Sequence, residues 1–376
     1  MNDAIAAKAE DELLRRLKTG SPLRFDRFMF LVLYSDPWGF YRRHTPGEDG
    51  TYRTSPTLSP WFAKLVCKDF VAMRRNLGSP RGFTIVEVGG GNGAFAREAI
   101  RSLPDEMLDG LRWVFVEPFD QIASRQKDAV SDLPGSFSWV TKLGEIEPVV
   151  GCVFANEVID NFPARLFEVG DEELLEVYVS SDETGPLEVL LPVEGDSWAQ
   201  SESKGPLEHL SPGDRFELKP MLSSWAEDAS RALKSGYLLV IDYGDIQPSI
   251  WTRRPFGSLV TYRGESMGTD PLEALGSTDI TSHVDFTSLA HAAHEAGFEA
   301  HHLSSQRDFL KRLGLDDVLA DLRSAEREAS TAGDFASYLA TMAERSRVHA
   351  LGTPGGLGDL RVLLATKDAP PLADIH

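Results

Sequence analysis

Apolar positions at the start of the chain recur at helical spacing. MNDAIAAKAEDELLRRLKTG reads as a charged helix to about Lys18, closed by Gly20-Ser21-Pro22, and Phe25–Tyr34 as a second, more apolar helix. A loop rich in turn formers follows, from Asp36-Pro37 through TPGEDG to TYRTSPTLSP, before helical spacing returns between Trp61 and Leu77. From residue 83 the pattern changes to short apolar runs alternating with helices. FTIVEV is strand-like and ends in Gly89-Gly90-Gly91-Asn92-Gly93, after which AFAREAIRSL is helical. LRWVFVE, FSWVT and VVGCVFANE supply further strands, with a helix, FDQIASRQKDAV, after the first of them. This order predicts an α/β fold whose open parallel sheet binds ligands at the carboxyl ends of its strands.

The segment 165–220 breaks the rhythm. RLFEV, ELLEVYVS and LEVLLPV look like antiparallel strands joined by polar turns, which predicts an inserted β subdomain. Helix 221–234 and strand YLLVIDYG then resume the alternation. A long polar loop over 245–282, a helix from Asp285 to Ala296, a helical region near 306–345 and a strand LRVLLAT complete the pattern.

Composition narrows the function classes. With 38 basic and 58 acidic side chains in 376 residues the net charge is −20, so no basic excess exists to grip nucleic acid or anionic lipid. The longest apolar stretches, FMFLVLY and VVGCVFA, fall far short of the ~20 residues of a spanning helix. Cys67 and Cys152 lack CxxC spacing, which excludes a disulfide framework and a zinc finger. The N-terminus carries Asp3, Glu10, Asp11 and Glu12 and no apolar core, unlike a secretory signal or an acid-poor transit peptide. The expectation is a soluble, cytoplasmic protein without nucleic-acid or membrane partners, free to form a homodimer.

The strongest chemical signal is Glu87-Val88-Gly89-Gly90-Gly91-Asn92-Gly93. Glycines let the backbone turn tightly and approach a ligand at a helix start, where free N–H groups face it. Alone, the turn also passes for a dinucleotide fingerprint ending at Ala94. Two acids decide between the readings. Glu87 stands at the strand tip, where a pyrophosphate would have no use for it, and Glu117 ends the next strand, where a carboxylate can accept both ribose hydroxyls. The E-x-G-x-G-x-G arrangement with a second-strand acid resembles class I methyltransferases, whose cofactor is S-adenosyl-L-methionine.

A wider resemblance follows the chain. FMFLVLYSDPWGFY, GTYRTSPTLSPWFA, VEPFDQIASRQ, ANEVIDNFPA, LLVIDYGD, TYRG, STDITSHVDF and GGLGDLRVL occur in the order of the MidA-like methyltransferases, over about residues 23–367. That family includes a mitochondrial complex I assembly factor that methylates a protein arginine. The resemblance implies a Rossmann-like class I methyltransferase core with an N-terminal helical cap and an inserted β subdomain. Its segments would be a cap and cofactor-covering loop at 1–82, the first half of the core at 83–164, a substrate subdomain at 165–220 and the second half at 221–376. It also implies S-adenosyl-L-methionine held by Glu87, Gly89, Gly91, Gly93, Glu117 and Asn156, with Thr54, Ser55 and Pro56 folding over it, and a guanidinium nitrogen of a protein as acceptor. Departures are Thr51 and Thr57 in place of Asp and Glu, Asn92 where Arg is frequent, Leu174-Leu175-Glu176-Val177 in place of a Trp-containing segment, and no His within Gly264–Gly268. They cluster near substrate-facing segments.

Asn156, Glu157 and Asp160 follow the fourth strand, where methyltransferases of this class place acceptor-binding groups. Carboxylates suit a guanidinium, which they pair with, orient and relieve of a proton. Glu157 and Asp160 would share a face if the segment is helical; otherwise they are favourable acids at a helix start. His283 precedes a helix that Asp285 caps and is a further catalytic candidate beside a plain solvated role. His291, His294, His301 and His302 have no carboxylate spaced to complete a metal site, so no metal is expected. The alternatives are a methyltransferase for a small molecule or peptide, a non-catalytic assembly chaperone that keeps the cofactor fold, and a nicotinamide dehydrogenase, which would leave Glu87 without a purpose.

Overall fold

The computed structural model describes residues 2–46, 54–264 and 266–372; Thr51 and Glu265 lie outside them. The chain forms two compact units. One comprises Met1–Tyr52, Ile159–Ser224 and Gly244–Leu289, the other Arg53–Val158, Trp225–Tyr243 and Ala290–His376.

The second unit is built on a seven-stranded sheet. In chain order its strands are β1 (Thr84–Val88), β2 (Arg112–Val116), β3 (Ser136–Val140), β4 (Val149–Asn156), β5 (Leu233–Asp242), β6 (Ala300–Ser305) and β7 (Arg361–Lys367). Their spatial order is β6-β7-β5-β4-β1-β2-β3. β3, β2, β1, β4 and β5 run parallel, whereas β7 is antiparallel to β5 and to β6. The sheet is therefore mixed, not parallel throughout, because β7 closes on the far edge of β5. β1 is buried at every position, as expected for a strand covered on both faces. Against one face pack Phe62 and Phe70 of helix Pro60–Asn76 and Phe95 of helix Ala94–Ser102, meeting Trp113 and Phe154. The Phe95 and Phe154 rings lie 4.4 Å apart and the Phe70 and Phe154 rings 5.8 Å. Burial of one such ring contributes about 1.5–3 kcal/mol.

The first unit holds the inserted strands. Arg165–Val169 pairs antiparallel with Leu174–Ser181 and with Arg215–Leu218, and Pro186–Pro192 pairs with Leu174–Ser181. Leu23 and Arg24 add a short strand to the same sheet. Helix Phe25–Tyr34 buries Phe25, Phe28, Met29, Val32 and Leu33, the helical stripe that its sequence displays. Inside this sheet Arg165 reaches both oxygens of Glu176 at 2.6 Å and Asp196 at 2.7 Å. Its guanidinium stands 5.2 Å from the ring centres of Phe167 and Trp198. The stretch read as a polar loop over 245–282 instead contains Val260–Arg263, Ser266–Gly268 and Asp279–Thr281, which form a small antiparallel sheet. Its strands are too short for alternation to register along the sequence.

Among the described residues no helix is long and apolar enough to cross a membrane, and no group of three or more His, Cys, Asp or Glu is placed to hold a metal ion.

Candidate functional site

The order of the sheet fixes where a ligand can enter. From β1 the chain steps to β2 and β3 on one side, then continues with β4 and β5 on the other. The loops after β1 and β4 therefore diverge, and the crevice between them is the binding position of open α/β sheets. Gly89–Gly93 follows β1, and Asn156 ends β4 with Glu157 immediately after it.

Gly89, Gly91 and Gly93 have φ of 63°, 52° and 81°. At Gly93 the requirement is double, because a Cβ there would also stand 2.8 Å from that of Ala129. Glu87 sits beneath the loop, 3 % exposed, and accepts the Trp113 indole N–H at 2.8 Å. Burial pushes its carboxyl up to about 8, against the Trp113 bond and with help from the charge of Glu117. Glu117 accepts the Phe119 N–H and the Gln126 amide, each at 3.1 Å, and burial pushes it up to about 7. Gln126 also donates to the Gly91 carbonyl at 3.1 Å and accepts the Trp139 indole at 3.0 Å, so one amide ties the glycine loop to Glu117.

At the other lip, Glu157 has φ of 53° and donates its N–H to the Ile241 carbonyl at 2.8 Å. Left-handed backbone at a non-glycine residue costs about 1–3 kcal/mol and collects at functional sites. Glu157 Oε1 accepts the Ser55 N–H and the Asn156 amide, each at 3.0 Å. Glu157 Oε2 and Asn156 Oδ1 are buried with no hydrogen-bond partner among the described residues. Burial pushes the Glu157 carboxyl up to about 7; the two donors oppose this and Asp242 adds to it. Asp242 itself accepts the Val158 N–H at 3.1 Å.

Thr54-Ser55-Pro56 is the start of the short helix Ser55–Leu58, with Thr54 and Thr57 bonded reciprocally. Thr57 thus does the capping that a Glu would do at that position. Asn92 caps the next helix by accepting the Ala94 N–H at 3.1 Å.

Asp160 and His283 belong to the first unit. The segment after β4 is not helical at Glu157, and only Ile159–Asn161 forms a single tight turn. The shared helical face expected for Glu157 and Asp160 is therefore absent. The Asp160 carbonyl accepts the Ser282 N–H at 2.9 Å and the Lys219 ammonium at 3.0 Å. His283 donates its N–H to Ser258 Oγ at 3.0 Å. Burial, then the charges of Arg254 and Lys219, push its ring down to about 3, so it is neutral at ordinary pH. Such a ring suits hydrogen bonding better than proton transfer. Sequence reasoning missed Gln126, Asp242, Gln306 and Lys219 as organising residues. Only their polar character inside apolar elements marked them.

The crevice thus offers a tight glycine turn, a diol-compatible carboxylate at Glu117 and two unsatisfied acceptors at Asn156 and Glu157. The glycine turn and Glu117 fit a nucleoside-bearing cofactor with a ribose, and the acceptors of Asn156 and Glu157 are left for a second, donor-rich group. Replacing Glu117 by Ala should weaken S-adenosylhomocysteine binding at least tenfold in calorimetry, the loss of charge-assisted bonds of about 1.5–3 kcal/mol. Unchanged affinity would remove Glu117 from the site.

Comparison with known proteins agrees. Residues 65–304 match a family described as S-adenosyl-L-methionine-dependent methyltransferases. The mitochondrial protein arginine methyltransferase NDUFAF7 homologue of Drosophila melanogaster is 27 % identical over 325 residues, 76 % of this chain and 70 % of that protein. Human mitochondrial NDUFAF7, also named a protein arginine methyltransferase, is 24 % identical over 347 residues, 85 % of this chain and 76 % of that protein. A Burkholderia thailandensis structure bound to S-adenosyl-homocysteine superposes with a TM-score of 0.83 at 23 % identity, covering 99 % of this chain and 94 % of that one. The relatives' mitochondrial names overturn the cytoplasmic assignment drawn from the acidic N-terminus.

Proposed function

This chain belongs to the S-adenosyl-L-methionine-dependent methyltransferase family, and from that premise we propose that it methylates a guanidinium nitrogen of an arginine in a protein partner. One observation carries the choice of acceptor. Glu157 keeps one oxygen held by two N–H donors and the other buried without a partner among the described residues, beside an equally unsatisfied Asn156 carbonyl. Two adjacent acceptors match the planar array of guanidinium donors better than a single hydroxyl. The names of the relatives support the same acceptor.

The bound cofactor supplies an electrophilic methyl group on sulfonium sulfur. Gly89, Gly91 and Gly93 let the backbone approach it, Glu117 receives its ribose hydroxyls, and Glu87 supports the loop from below. Glu157 would orient the acceptor nitrogen and take up the proton that it releases on methylation. In this reading Thr54–Pro56 borders the cofactor, and the unit that holds residues 165–220, Asp160 and His283 serves the acceptor.

The test is a labelling experiment. Protein extract incubated with the enzyme and methyl-labelled S-adenosylmethionine, then hydrolysed to amino acids, should carry label in methylarginine. Label confined to small acid-soluble compounds would replace the proposal with small-molecule methylation. No binding of S-adenosylmethionine at millimolar concentration would favour a chaperone.

A further inference from the structure

Two buried polar side chains lead to the same carboxyl. Ser55 and Gln306 are both 0 % exposed. Gln306 opens helix Gln306–Arg312 immediately after β6; its backbone N–H donates to the Leu360 carbonyl at 2.7 Å and its side-chain amide to the Leu351 carbonyl at 2.9 Å. Its Oε1 accepts the Ser55 hydroxyl at 3.2 Å, a bond spanning 251 positions of sequence. The Ser55 N–H then donates to Glu157 Oε1, across 102 positions.

We propose that Ser55 and Gln306 are positioning residues for methyl transfer: Gln306 pins the turn at Thr54–Pro56, and the turn holds one oxygen of Glu157 so that the other faces the acceptor. The proposal rests on the reading of Glu157 as the acceptor-facing carboxyl. A carboxyl on a flexible side chain presents either oxygen, and rotates, unless something fixes it. Here Ser55 and Asn156 both grip Oε1, which leaves Oε2 as the oxygen on offer. The same grip favours the charged form. Among the described residues Asp242 is the charged group acting on Glu157, and it opposes ionisation, as does burial; Ser55 and Asn156 are the neutral donors that promote it. A loosened turn must therefore shift ionisation of Glu157 to higher pH.

Two cofactor analogues read this without an acceptor. Sinefungin carries an ammonium where the cofactor carries its methyl-bearing sulfur, and S-adenosylhomocysteine carries no charge there. Calorimetry from pH 5.5 to 8.5 should show the wild-type preference for sinefungin rising about tenfold as Glu157 ionises. Glu157→Gln should abolish the rise. Ser55→Ala and Gln306→Leu should move its midpoint up by about one pH unit, while the S-adenosylhomocysteine affinity of Gln306→Leu stays within threefold of wild type. A midpoint unmoved in both variants overturns the relay and leaves the reading of Glu157 intact. A rise that persists in Glu157→Gln overturns that reading itself. If Gln306→Leu fails to fold, Ser55→Ala, which loses only a hydroxyl, decides alone. Loss of S-adenosylhomocysteine binding in a folded Gln306→Leu would show a merely structural role and refute the proposal.

Discussion

Single-turnover methyl transfer by Glu157→Gln, at saturating S-adenosylmethionine, is expected to run about 30- to 1000-fold slower than wild type, the equivalent of about 2–4 kcal/mol. Glutamine keeps the shape of the side chain, and its carbonyl can still accept from Ser55 and Asn156 as Glu157 Oε1 does. What changes is the second position. An acceptor becomes a pair of donors, which then face the donors of a guanidinium and can take no proton. S-adenosylhomocysteine affinity should stay within threefold, because the ribose side of the crevice is untouched. A neutral hydroxyl acceptor would ask much less of this residue. A rate within threefold of wild type would therefore reject the guanidinium and promote the small-molecule alternative.

Arg165→Met should cost about 3–5 kcal/mol of stability, because it strands a carboxylate inside the inserted sheet. The Arg165 and Glu176 side chains are each 4 % exposed, and their two bonds are 2.6 Å long. Arg24 stands 3.9 Å from Glu176 but is engaged with both oxygens of Asp26, so it is poorly placed to replace the lost partner. The pair's net worth is smaller than this cost. Arg165→Met combined with Glu176→Leu removes both charges and should recover most of the loss, since apolar replacement of a buried pair is often close to neutral. Urea unfolding of the two variants checks this. A single variant within 1 kcal/mol of wild type would show that water reaches Glu176.

The glycine-turn half of the candidate site was legible in the sequence because its signals are local. FTIVEV, the glycine run and Glu117 lie in consecutive elements, and each residue type has a short-range reason: apolar runs for covered strands, glycine for left-handed turns, an acid at a strand end. The acceptor half was legible only as a set of residues. That Glu157 adopts φ of 53°, and that Ser55 rather than Asp160 is its partner, depends on contacts that cross 102 positions and leave no periodic trace. Gln306 was hidden for the same reason, as a lone amide whose partners lie far away in sequence. The family resemblance singled out Thr54–Pro56, but not that its Ser55 bonds to Glu157 and Gln306. The antiparallel β7 was also beyond reach, since strand direction depends on the whole course of the chain and not on LRVLLAT itself.

The place of β7 has a consequence for how the protein is made. It lies between β5 and β6 in the sheet, yet a ribosome delivers it after both. Until it emerges, β6 has no neighbour to bond with, and β5 presents the open edge of Leu238, Leu239, Val240 and Ile241 to any other nascent strand. An apolar, unpaired edge of this kind recruits foreign strands. The yield of soluble protein is therefore expected to fall when chaperones that shield this edge are depleted, whatever stability the finished molecule attains.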